Sequence, residues 1–138
     1  MSFNKINRSF YICFFFICTI FFLDRISKLY VLNYVEKNLT LDLVRTSYLN
    51  ITLIWNKGIA FGLFNFNQDY LYNMLTILIV TVTLVILYMV VSNKGFKRYS
   101  LIMIMGGALG NLYDRIYYKA VPDFIDFHIG EFHWFIFN

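Results

Sequence analysis

The amino-acid sequence predicts an all-α membrane protein, a multi-pass helical bundle with a small β-rich region in one extracytoplasmic loop. The chain of 138 residues is 59% hydrophobic and only 14% charged, a balance that is rare in soluble domains. Its mean hydropathy of +0.61 points to the same environment. The apolar residues are gathered into three long runs, as expected of membrane helices. Proline occurs once and no internal repeat is present, so a single domain over residues 1–138 is predicted.

The distribution of charge excludes some functions. The formal net charge is +4, and the lysines and arginines are scattered along the chain instead of forming a stripe, so no nucleic-acid partner is indicated. Cys13 and Cys18 lie inside the first apolar run, where a thiol behaves as a small hydrophobic group. Because the sequence has neither a CxxC pair nor a zinc-ligand spacing, we expect no cofactor.

The first helix is predicted over about residues 10–30. Basic residues precede an apolar run rich in Phe and Ile that stops at Asp24 and Arg25. A basic segment and a short apolar run also describe a cleavable signal peptide, but no small-x-small cleavage site follows. If the helix continues through Lys28, it reaches the roughly 20 residues that a membrane span needs. We therefore favour a retained transmembrane helix.

Residues 31–69 are predicted to form an extracytoplasmic loop that contains a small sheet. Polar and apolar residues alternate over residues 48–55, which is the pattern of a half-buried strand. Asn56, Lys57 and Gly58 then supply turn residues. A sheet lying at the membrane surface fits both this alternation and the aromatic content. An ordinary connecting loop is the alternative.

Two further helices are predicted, over residues 70–92 and 99–114. The first of them is a run of apolar residues long enough to cross a bilayer with some tilt. Lys94, Lys97 and Arg98 crowd the short connection between the two helices. Because short basic segments stay in the cytoplasm, we expect this connection and the N-terminus on the cytoplasmic side and the long first loop outside.

Charged and amide side chains end the third apolar run. Asn111 lies three residues before Asp114 and four before Arg115, so all three can project from one helix face. Asp24 follows about 14 apolar residues from the inner side and Asp114 about 15, which corresponds to roughly 21–23 Å of helix. The hydrocarbon core is about 30 Å thick, so both acids should lie just below the outer surface. Charges at that depth are costly and indicate an intramembrane polar site.

Small residues lie one turn earlier in the same helix. Gly106 and Gly110 form a GxxxG pattern, which allows a neighbouring helix to approach closely. Packing alone explains many such patterns. Here close packing would also fix the positions of Asn111 and Asp114.

Four segments of the chain carry a resemblance to a known family: residues 24–28, 56–62, 106–115, and 121–127 with the closing pair Phe137 and Asn138. With these segments the chain resembles bacterial lipoprotein signal peptidase, or signal peptidase II, a family of membrane aspartic peptidases. The resemblance implies a protein of the bacterial cytoplasmic membrane with four helices, of which three are present here. It also implies a monomer in contact with membrane lipid, which removes a signal peptide before the lipid-modified cysteine of a diacylglyceryl prolipoprotein.

The resemblance also implies roles for individual residues. In such enzymes two aspartates activate a water, one carboxylate taking its proton while the other, protonated, polarises the scissile carbonyl. Asp114 matches the first catalytic aspartate. The residues that match positions lining the site or binding substrate are Asp24, Lys28, Asn56, Asn111, Arg115 and Asn138.

The second catalytic aspartate is expected just beyond Asn138, at the start of the fourth helix. Residues 1–138 are therefore expected to be incomplete before that helix and inactive alone. Asp123 and Asp126 belong to a block that is structural or near the site in the family, and neither is expected to complete the catalytic pair.

Three alternative functions compete with this one. His128, Glu131 and His133 with Asp123 or Asp126 are the usual types of zinc ligand, but the HExxH motif is absent, so no metal is expected. A proton-coupled transporter also uses intramembrane acids, but no inverted repeat is present. A non-catalytic membrane protein of the same fold would explain the hydrophobicity, but not why polar residues converge on the outer side.

Overall fold

The computed structural model describes residues 3–58 and 69–138. In these two ranges the helices are α1 (Phe3–Asn38), α2 (Asp69–Ser92) and α3 (Phe96–Tyr117), and the strands are β1 (Asp42–Arg45), β2 (Leu49–Asn56), β3 (Val121–Ile129) and β4 (Phe132–Phe137). Helix α3 contacts both α1 and α2, and the four strands form one antiparallel sheet. The expected small sheet is confirmed. It is larger than the term all-α suggests, because the C-terminal part of the chain contributes two of its four strands, β3 and β4.

Helix α1 is longer than predicted. It continues past the expected end near residue 30 to Asn38, so the first part of the expected loop is helical. The extension is stabilised by the sheet, since Val31 packs in one apolar cluster with Leu53 of β2 and Phe124 of β3. Burial of this kind favours a helix that local sequence alone would leave undecided.

Helix α2 lies close to its predicted bounds, and α3 is three residues longer than expected at each end. A core cluster of Cys13, Val90, Ile102 and Met105 joins all three helices, which confirms that Cys13 acts as a small hydrophobic group. By length and apolar composition, two of the described helical segments could cross a membrane, Arg8–Asn38 and Asp69–Ser92.

The strand order in the sheet is β1-β2-β3-β4, so β2 and β3 pair although α2 and α3 lie between them in sequence. The partners change register between Ile51 and Ile54 of β2, where three steps along β2 match two steps along β3. This bulge inserts one residue and reverses the alternation of side chains in β2. As a result Asn50 reaches Asp126 and Asn56 reaches Asp123, although these two acids lie three residues apart and so on opposite faces of β3.

Candidate active site

Four charged side chains form a buried network between α1 and α3, here named the α1–α3 ion network: Asp24, Arg25, Lys28 and Asp114. Arg25 donates to both carboxylate oxygens of Asp114, at 2.5 and 2.8 Å. The Lys28 ammonium lies 2.7 Å from an oxygen of Asp114 and 2.7 Å from an oxygen of Asp24. Because two acids face two bases, the formal charge of the network is zero, which is the condition under which buried charges are tolerated.

Glycines bring the two helices close enough for this network to form. A Cβ atom added at Gly106 would lie 2.6 Å from the Ile20 side chain, and one added at Gly110 would overlap the carboxylate of Asp24. The close approach that the GxxxG pattern predicts is therefore confirmed. It also explains how the short side chains of Asp24 and Asp114 share the same cations.

The expected grouping of Asn111, Asp114 and Arg115 on one face holds for two of the three. Asn111 accepts a hydrogen bond from the Lys28 ammonium at 2.7 Å, beside Asp114. Arg115 turns away, and its Nη2 donates to the backbone oxygen of Gly58 at 2.8 Å. Successive helical residues are about 100° apart around the axis, so Arg115 meets the loop after β2 instead of α1.

A second polar cluster, the Asp123 cluster, consists of Asp123 with Asn56 and Asn138. Asn56 donates from its Nδ2 to one carboxylate oxygen of Asp123 at 2.8 Å, and Asn138 donates to the other at 2.6 Å. Asp123 is 6% exposed. Sequence reasoning gave Asp123 no catalytic role, although it matched both asparagines to the site. The pairing of β2 with β3 brings these residues together, and nothing in the local pattern predicted it.

A chain of hydrogen bonds ties the Asp123 cluster to α3. Arg115 donates to the Gly58 oxygen, and the Gly58 N–H donates to Oδ1 of Asn56 at 2.8 Å. The Asn56 amide is thereby oriented with its Nδ2 toward Asp123. Arg115 thus acts on the cluster through the backbone, although it does not bond to Asp123 directly.

Asp123 and Asp114 lie in different electrostatic environments. Burial raises the pKa of Asp123 above its usual value, and the hydrogen bonds from Asn56 and Asn138 offset part of that rise. Asp114 is instead held between two cations and has no exposed surface. A carboxyl whose pKa is raised by burial is suited to acid–base catalysis, whereas one fixed by two cations is suited to holding helices together.

Asp126 and the two histidines form a third group on the sheet. One potential ligand atom from each of Asp126, His128 and His133 lies within 4.8 Å of the others, so these residues could hold a metal ion. Asp123 is not part of this group within the described residues.

The sequence matches one protein family over most of its length. The family model described as "Signal peptidase (SPase) II" matches residues 16–138. A lipoprotein signal peptidase of Pelagibacter ubique (strain HTCC1062) is 49% identical over 136 residues, which cover 98% of this chain and 82% of that protein. Those of Anaplasma phagocytophilum (strain HZ) and Aquifex aeolicus (strain VF5) are each 41% identical, and the matches cover 84% and 87% of this chain and 73% and 71% of theirs.

The fold also matches a solved structure. A bacterial membrane enzyme determined by the in meso method at 2.3 Å resolution superposes with a TM-score of 0.70 at 24% identity. The match covers 91% of this chain and 76% of that one. At this identity the likeness concerns the fold alone.

Proposed function

This chain belongs to the signal peptidase II family, and we propose from that premise that it is a membrane aspartic endopeptidase that removes the signal peptide from prolipoproteins. The bond cut is the one before the lipidated cysteine of a diacylglyceryl prolipoprotein. A lipid-modified substrate suits a site next to apolar helices, because the acyl chains can remain in the bilayer while the peptide reaches the carboxylates.

Within this function, the contact between Asn138 and Asp123 supports Asp123 as one of the two catalytic aspartates. The second is expected three residues after the position of Asn138. A residue three positions further on lies within about 11 Å of the Asn138 backbone even in a fully extended chain. Because the Asn138 side chain bonds to Asp123 at 2.6 Å, that residue is close enough for its side chain to approach Asp123. A carboxylate placed there could share a proton with Asp123, which is how a pair of acids activates water without a metal.

Asp114, which the family resemblance assigned to catalysis, is proposed here to position the helices. A general base must have an oxygen within about 2.6–3.2 Å of the water that it deprotonates. Both oxygens of Asp114 are engaged by Arg25 and Lys28, and the residue is fully buried. Asp24, Lys28 and Asn111 act with it, whereas Asn56, Arg115 and Asn138 support Asp123.

A dyad mechanism needs both carboxylates. Asp126 lies on the opposite face of β3 from Asp123, so it does not substitute for the second acid.

Cleavage by the full-length protein tests this assignment. Purified in detergent and given a diacylglyceryl-modified prolipoprotein, the Asp123→Asn variant should lose about 10²–10⁴-fold in rate, as expected when a proton-transferring group is removed. Asp42→Asn, which removes an acid from the outer strand β1, is the matched control and should cleave normally. An Asp123→Asn variant that cleaves at the rate of the control would refute the assignment.

The membrane arrangement is also a proposal. We place α1, α2 and α3 across the bilayer as part of a four-helix, single-domain monomer of the bacterial inner membrane, with the N-terminus in the cytoplasm and the sheet outside. The basic residues between α2 and α3 and the apolar lengths of α1 and α2 support it. A membrane-impermeant thiol reagent added to intact spheroplasts should label a cysteine at Ser47 but not one at Lys94. The reverse pattern would invert the topology.

A further inference from the structure

The third polar group of the sheet is assembled by strand geometry. Asp126 and His128 are two residues apart in β3, so their side chains share one face. His133 of β4 pairs directly with His128, because β4 contains one extra residue in the stretch opposite Phe127 and His128. The two imidazole rings stack with their centres 4.9 Å apart and their planes 17° from parallel. Three side chains with metal-binding atoms therefore face one another across the β3–β4 pair.

One of these side chains has a buried nitrogen without a hydrogen-bond partner. His128 is 9% exposed, and its Nδ1 has no hydrogen-bond partner in the part of the chain that the structure describes. Such atoms are uncommon in folded proteins, because leaving one unsatisfied costs about 1–3 kcal/mol. An imidazole nitrogen next to a carboxylate and a second imidazole has a specific chemical use, since it can donate a lone pair to a metal ion.

The distances fit a zinc ion. Ligand atoms bound to one Zn²⁺ at about 2.0–2.2 Å in a tetrahedron are about 3.3–3.6 Å from one another. Nδ1 of His133 lies 2.9 Å from the nearest oxygen of Asp126, and all three ligand atoms are within 4.8 Å. These spacings bracket the tetrahedral value.

The surrounding charges favour a cation. The group lines a surface cavity of about 390 Å³, whose other charged residues are Asp42, Arg45 and Glu131. The guanidinium of Arg45 is already paired with Asp42. Asp126 and Glu131 therefore leave the cavity with an excess of negative charge, which lowers the free energy of a bound divalent cation.

We propose that Asp126, His128 and His133 bind one Zn²⁺, with water completing the coordination. Two imidazoles and a carboxylate form a donor set that zinc prefers. The ion would connect β3 to β4 on the face opposite Asp123, so its role is structural: it holds together the strand pair that carries Asp123 and leads to Asn138. Cleavage chemistry at Asp123 does not pass through it.

Zinc binding by the full-length protein tests the proposal. The chain has two histidines, and both lie in this group, so any binding that depends on imidazole reports on this site alone. The protein is purified in detergent with a tag that lacks histidine, stripped with chelator and titrated with Zn²⁺ by calorimetry, with bound metal counted after dialysis. We expect one equivalent. The half-exposed His133 can be replaced without disturbing the core, and His133→Ala should weaken binding at least about tenfold.

Two further variants make the result decisive. His128→Gln should weaken binding to the same degree, whereas Asp69→Asn, which changes an acid at the start of α2 and outside this cavity, should bind as the wild type does. Zn²⁺ should also raise the unfolding temperature of the wild type but not that of either histidine variant. Absence of stoichiometric binding, or an affinity in both histidine variants within about twofold of the wild type, would overturn the proposal.

Discussion

The Lys28 ammonium and the Asp114 carboxylate lie 2.7 Å apart, and neither residue has exposed surface. They belong to two different helices, and each has a further partner: Lys28 pairs with Asp24, and Asp114 pairs with Arg25. Arg25 and Asp24 also pair with each other. At zero exposure the charges cannot be screened by water, so each depends on the presence of the others. The network is therefore a sensitive point for stability as well as for function.

Asp114→Asn is expected to destabilise the protein by about 3–5 kcal/mol, because it leaves two buried cations facing one acid. The free energy of unfolding is measured for the variant and the wild type in detergent, by titrating each with denaturant and monitoring the fraction of folded protein. Loss of cleavage in this variant would not identify Asp114 as catalytic, since unfolding gives the same result.

The double variant Lys28→Met with Asp114→Asn separates these explanations. It removes one positive and one negative charge and leaves Asp24 paired with Arg25. We expect it to be more stable than either single variant, with a coupling energy of about 1–3 kcal/mol. Recovery of cleavage together with stability would support a positioning role for Asp114. A stable double variant without any cleavage would favour catalysis by Asp114 itself.

Gly110→Ala should destabilise the α1–α3 interface by about 1–3 kcal/mol, because the new methyl group overlaps the Asp24 carboxylate. Gly107→Ala is the matched control. It lies in the same helix with nothing within 4 Å of the added carbon, so it should gain up to about 1 kcal/mol from helix propensity. Equal effects of the two substitutions on unfolding would show that the helices do not approach as closely as described.

The raised pKa of Asp123 predicts a pH dependence of stability. A carboxyl with a folded-state pKa above its unfolded value of about 3.9 stabilises the protein fully below that value. This contribution is lost as the pH rises through the folded pKa. The stability of the wild type relative to Asp123→Asn should therefore fall between acidic and neutral pH. A relative stability that instead increases with pH would mean that the pKa is depressed.

Removal of the Asn56 amide should shift the pH profile of cleavage. The hydrogen bond from Asn56 lowers the pKa of Asp123, so Asn56→Ala should raise that pKa further. If Asp123 must be ionised to accept a proton, the acidic limb of the kcat/KM profile moves to higher pH. Asn111→Ala, which removes an amide from the other network, is the control and should leave the position of that limb unchanged.

Much of the helical part could be predicted from composition and run length. The bounds of α2 follow an uninterrupted apolar run between Asp69 and the basic connection, and the structure differs by one residue. The extension of α1 could not be predicted in the same way, because Val31 is held by apolar contacts with strands that are distant in sequence. The strands β3 and β4 were missed for a related reason, since β3 is stabilised by pairing with the distant strand β2, and β4 by pairing with β3.

The candidate site was also predictable from the sequence only in part. The lengths of the two apolar runs predicted that Asp24 and Asp114 lie at a similar depth. The small residues at positions 106 and 110 predicted that the two helices approach closely there. Asp123 was passed over because its partner Asn56 is 67 residues away, and only the pairing of β2 with β3 connects them. The residue types of the histidine group were recognised in the sequence, but only the register of β4 shows that His133 lies opposite His128.

The α1–α3 ion network divides its charges unequally between the two helices. Helix α1 contributes Asp24, Arg25 and Lys28, a sum of +1, and α3 contributes Asp114, a sum of −1. Neither helix is neutral in its own share, so each carries an uncompensated buried charge until the other is beside it. The pairing of α1 with α3 is therefore the arrangement in which both helices are electrically neutral at this depth, so electroneutrality itself selects α3 as the partner of α1.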